Sequence, residues 1–129
     1  MSSISLEELH YRLRNRIIEH LQLVSSASQQ LAYQASAPIA HVTNELFNAW
    51  GDWVPDEAEV ETFGPPVFSP AEISAIRQFN RQLDTIAAAT PDPLSPIAQF
   101  VGTEEWQVLS SAAQEALLAF APRGLSPEQ

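Results

Sequence analysis

The chain has 129 residues, 45% of them hydrophobic, which suits one domain able to bury a core without disulfides or a structural metal. It contains no Cys and no Lys, its six cations all being Arg, so thiol nucleophiles, Cys-ligated zinc, iron–sulfur clusters, Schiff-base lysines and P-loop lysines are excluded. A net charge of −10 opposes contact with a phosphate backbone, so nucleic acid is not expected as a partner.

Ser5 followed by Glu8 is a capping box, in which hydroxyl and carboxylate each satisfy an orphan backbone N–H. Leu6, Leu9, Leu13, Ile17, Leu21, Val24 and Leu31 then recur on one helical face, with no Gly or Pro before Pro38. The spacing predicts a first helix over 5–36, about 30 residues or roughly 45 Å, as the longest element. Met1 to Arg16 lacks the unbroken apolar run of a signal peptide, and the uncharged stretch Leu21 to Asn44 is too rich in Ser and Gln to span a bilayer. A cytoplasmic protein without membrane contact is the expectation.

A second helix is predicted over 43–54, with Thr43 as N-cap, Glu45 facing the positive end of the dipole, and Leu46, Trp50 and Trp53 turned inward. Residues 55–68 show neither helical nor strand periodicity and read as a long acidic, Pro-rich loop, a type of connection that is usually functional or mobile. Ser69, Pro70 and Glu72 combine an N-cap, a proline at the first helical position and a capping acid, which starts a third helix over 69–89. Its inner face carries Ile73, Ile76, Leu83, Ile86 and Ala87. A Pro-rich connector and a short turn near 97–101 lead to a fourth helix over 103–121, capped by Thr103, with Trp106, Leu109, Ala113, Leu117 and Phe120 as its buried stripe. Pro122 and Gly124 stop it, and 122–129 is expected to fray. No run alternates in the manner of a strand, so the fold class is all-α: a single-domain bundle of about four main helices.

Between Thr43 and Phe68 stand six carboxylates and five large aromatics with no basic side chain among them. Charge of this kind steers encounter with a basic partner, and buried rings supply affinity. Asp52, Asp56, Glu57, Glu59, Glu61 and Phe63 are therefore the candidate partner-binding residues, while Trp50 and Trp53, three apart, read as core. Arg12, Arg14 and Arg16 are candidate counterions that would clamp the acidic loop within the molecule. Tyr11 and Ile18, one heptad apart, lie roughly 100° round the first helix from its main stripe, and Leu23 lies off the opposite edge. That extra apolar surface has two readings, a symmetric homodimer contact or a seat for Phe63 and Phe68 of the chain's own loop.

Other chemistry is weaker. Glu7 and His10 have the Glu-x-x-His spacing of di-metal bundles, but the second such pair is missing, so no metal is expected. No Gly-x-Ser-x-Gly elbow marks a Ser nucleophile. His20 and Asn80 interrupt apolar stripes and are expected to be buried polar residues with partners. The composite expectation is a small acidic helical protein, without cofactor, that binds another protein, as an inhibitor or immunity-type binder of a basic partner would. The alternative is a helical small-ligand-binding protein or enzyme with a pocket near His20, Asn80 and Trp106.

Overall fold

Residues 5–54, 63–90 and 93–126 are described by the computed structural model, and these residues are all-α, with no strand among them. Helix α1 (Leu6–Val24) begins at Ser5, whose Oγ accepts from the Glu8 N–H at 3.1 Å. It stops at Val24, and Ser26 N-caps a separate helix, α2 (Ala27–Ser36), by accepting from the Gln29 N–H at 3.2 Å. The single helix expected over 5–36 is thus two. The cause is local: Ser26 takes an extended backbone, and the Gln30 amide donates to the Leu23 and Val24 carbonyls at 2.9 and 3.0 Å, satisfying the end of α1.

Helix α2 ends before Pro38, where the Gln34 amide donates to the Ala37 and Ala40 carbonyls and its oxygen accepts from the Val42 N–H. Helix α3 (Val42–Asn48) is capped by His41, whose Nδ1 accepts from the Asn44 N–H at 3.2 Å, rather than by the expected Thr43, which is buried inside the helix. A one-turn helix α4 (Trp50–Trp53) continues from it, and Val54 closes the segment as a buried residue. The acidic loop expected at 55–68 falls within the described residues only from Phe63, where Phe63, Val67 and Phe68 turn inward.

Helix α5 (Pro70–Ala89) opens on the complete capping box read from Ser69, Pro70 and Glu72. At 20 residues it, and not the 19-residue α1, is the longest described element. Ile76, Phe79, Leu83 and Ile86 are buried along it. A short helix α6 (Ile97–Phe100) precedes α7 (Glu104–Phe120), which Thr103 caps by accepting from the Trp106 N–H at 3.1 Å. Helix α7 packs against both α5 and α1, and α2 meets α6. Ala112, Ala113 and Ala116 on the inner face of α7 are small enough to let its neighbours approach closely.

Residues 122–126, expected to fray, are instead held against the bundle. Gly124 takes a left-handed conformation at φ 63°, which a Cβ would penalise, and sends the chain back over α1. There Asn15 and Ser126 exchange two hydrogen bonds of 2.8 Å, and Arg14 Nη1 donates to the Gly124 carbonyl at 2.6 Å.

Candidate functional site

Of the six residues expected to face a partner, the structure describes two, and Asp56, Glu57, Glu59 and Glu61 lie outside the described residues. Asp52 is exposed on α4. Phe63 is 5% exposed and belongs to the core, which corrects its assignment as a contact residue. Its ring meets His10 of α1 edge-on at 5.3 Å and stacks on Phe68 at 5.1 Å. Burial follows from the turn at Gly64, whose carbonyl accepts from the Val67 and Phe68 N–H groups and folds the segment back on itself.

The second face of α1 is occupied in the same way. Ile18 is 3% exposed and sits in the core, while Tyr11 and Leu23 are half-buried and packed against it. Ile18 therefore has no surface to offer a second copy, and of the two readings given to these three residues, packing within the chain is the one described for it. Arg14, expected to clamp the acidic loop, is buried on α1 against Glu72.

His20 and Asn80 are joined through Trp50. Asn80 Oδ1 accepts from the Trp50 indole N–H at 3.1 Å, and the His20 ring lies 6.0 Å from the Trp50 ring. His20 Nε2 is 3.2 Å from the Leu46 carbonyl, which can only accept, so Nε2 carries the proton. Burial lowers the His20 pKa, and it outweighs the opposing pull of the Leu46 carbonyl and of the charges on Asp52 and Glu45. The imidazole is accordingly neutral at physiological pH. Trp106 belongs to another group: its indole N–H donates at 2.9 Å to Gln30, the residue that closes α1.

Two hollows open nearby. One, about 260 Å³, is walled by Arg16, Glu19, His20, Tyr33, Glu45 and Trp53. Arg16 and Glu19 pair at 2.6 Å on its rim. A hydrogen bond to the Glu45 carboxylate raises the Tyr33 pKa, helped by burial, so the phenol donates and stays protonated. Glu45 Oε2 and Thr43 Oγ1 are buried without a hydrogen-bond partner among the described residues. Neither Asn80 nor Trp106 lines this hollow, so the pocket expected near all three residues retains only His20. The other hollow, about 520 Å³, lies between α2 and α6 and is lined largely by Leu31, Ala35, Pro38 and Ile97. Its polar neighbours Gln34 and His41 are spent on backbone groups. Among the described residues no group of three or more His, Asp or Glu side chains is placed to hold a metal ion.

One cluster was not visible in the sequence. The Glu72 carboxylate accepts from Arg14 Nε and Nη2 at 3.2 and 3.0 Å, from Arg123 through two further bonds, and from the Ser69 N–H at 3.1 Å. Arg123 also donates to the Pro66 and Val67 carbonyls. Two guanidinium forks on one buried carboxylate tie α1, the 63–68 return, α5 and the chain end together. Arg14 and Glu72 are buried and paired within it, while Arg123 is partly exposed. Among the described residues no helix is long and apolar enough to cross a membrane. No family model matches the chain, and no significant match to it is found among curated proteins or solved structures.

Proposed function

We propose that this chain is a small acidic cytoplasmic protein that acts by binding a basic protein partner, as an inhibitor or immunity-type protein does, on a helical-bundle scaffold. The contact is made by Asp52 and by the acids at Asp56, Glu57, Glu59 and Glu61, with no cofactor. The observation that carries this reading is the anchoring of the acidic segment. Val54 and Phe63, 4% and 5% exposed, are buried on either side of eight residues that hold four carboxylates and no cation. Two of the six cations, Arg14 and Arg123, are meanwhile spent on Glu72, which leaves the acids of this segment without those two as counterions. A run of like charge held between fixed ends attracts an oppositely charged surface at distances set by the Debye length, about 8 Å at physiological salt.

The test is affinity capture from native cell extract on the wild-type chain and on a variant with Asp56→Asn, Glu57→Gln, Glu59→Gln and Glu61→Gln. A basic protein held at low salt, released at high salt and lost by the variant is the expected result. Equal capture by both chains at both salts removes this surface from consideration.

A second reading, a small-ligand-binding protein or enzyme, is favoured by the 260 Å³ hollow beside His20. It requires a rise in melting temperature with a metabolite or divalent cation, by mass action.

A further inference from the structure

The hollow beside His20 is small, aromatic and anionic. Its 260 Å³ falls below the roughly 300–1,000 Å³ of sites for drug-sized ligands, so it suits one side chain or a small amine. Among the described residues of its wall are two carboxylates, Glu19 and Glu45, and one guanidinium, Arg16, which pairs with Glu19, and burial keeps His20 neutral. Trp53 and Tyr33 place two aromatic side chains in its wall. Glu45 lines the hollow, its carboxylate accepts from Tyr33, and its Oε2 is a buried acceptor with no hydrogen-bond partner among the described residues, a costly state for a carboxylate oxygen. An anion would be repelled here, and an apolar group would bury the carboxylate further without pairing it.

We propose that this hollow receives a cationic side chain, an Arg guanidinium or a Lys ammonium, presented by the basic protein partner. The inference rests on the reading given under Proposed function and assigns it an anchor point. Asp52 is exposed on α4 beside Trp53, and its charge is felt at His20, so the hollow adjoins the start of the acidic segment. Long-range attraction by the segment and local capture by the hollow are then two stages of one encounter. Guanidinium is the better occupant, because its flat, weakly hydrated face stacks on aromatic rings while its edge donates to carboxylate.

The test is heteronuclear NMR titration of the full chain with the capped single residues acetyl-arginine methylamide, its lysine counterpart and its uncharged citrulline isostere. Saturable shifts centred on the Trp53 indole N–H are expected with arginine, weaker ones with lysine and none with citrulline. Glu45→Gln should weaken arginine binding by about tenfold or more. Because Glu45 holds Tyr33 and its loss can unfold α3, Trp53→Leu provides an independent arm with a loss of similar size. The variant neutralised at residues 56, 57, 59 and 61 should keep the arginine shifts, so failure of the hollow and failure of the acidic segment are told apart. Equal response to citrulline, shifts centred elsewhere, or unchanged arginine affinity in either folded variant overturns the proposal.

Discussion

Glu72 is asked to do three things at once, since the same carboxylate completes the capping box of α5, neutralises Arg14 of α1 and holds Arg123 beyond the end of α7. Burial alone would push its pKa up. Hydrogen bonds from Arg14, Arg123 and the Ser69 N–H outweigh that push and hold it below its ordinary value of 4.5. A carboxyl whose pKa is lower folded than unfolded stabilises above the unfolded value and loses that contribution as pH falls through the folded one. Glu72→Gln should therefore cost about 3–5 kcal/mol near neutral pH, because two guanidinium groups lose their shared anion, one of them fully buried. Urea unfolding of both chains measures this, and the gap between them should narrow in acid. His20 has the same sign. Its pKa is lowered by burial, so the unfolded chain takes the proton first, and stability should decline as pH drops below 6.5. An NMR pH titration that placed the His20 imidazole at or above 6.5 would contradict its burial. Asn80 is milder. Asn80→Leu leaves the Trp50 indole N–H unpaired, and a cost of about 1–3 kcal/mol with the fold retained is expected in the same unfolding experiment.

Single elements were legible to the degree that their signals are local. Ser69, Pro70 and Glu72 specify the start of α5 within four residues, and the structure has all of it, down to the reciprocal bonds. The break between α1 and α2 was not legible, because Leu21, Val24 and Leu31 keep an apolar period running across it. Only the Ser25–Ser26 pair carried the signal, and it competes with a side chain, Gln30, whose reach to the α1 carbonyls no pattern announces. Gln30 also takes the Trp106 indole N–H. Gln30→Leu should therefore lower the melting temperature more than a surface change on α2, with a loss of about 1–3 kcal/mol as these buried groups lose their partner. The docking of residues 122–126 was not legible for a related reason. Pro122 and Gly124 do stop α7, but whether the residues beyond them dock depends on Arg123 meeting Glu72, 51 positions earlier. A pairing at that separation leaves no periodic trace. Phe63 and Ile18 each had two readings, as partner or dimer contacts or as packing within the chain, because a helical wheel and a loop composition give faces and charge but not what packs against them. Both are buried.

At the scale of the molecule the governing quantity is charge. A net −10 on a chain this small makes the compact state repel itself, while the buried Glu72 cluster is screened little by salt. Moderate NaCl should consequently raise the melting temperature, and a fall would mean that exposed ion pairs such as Arg16–Glu19 matter more than the repulsion. The candidate site was legible as composition and not as geometry. The crowding of acids and rings between Thr43 and Phe68 was readable, whereas the hollow combines residues of four separate helices, α1 to α4. The claim on which the account turns is electrostatic capture of a basic protein. Its most direct test is the association rate with the captured partner across ionic strength, for the wild type and for the variant neutralised at residues 56, 57, 59 and 61. The account expects a rate that falls steeply with salt for the wild type, and a slower rate with a shallow dependence for the variant. Equal rates with equal salt dependence in the two chains would contradict it.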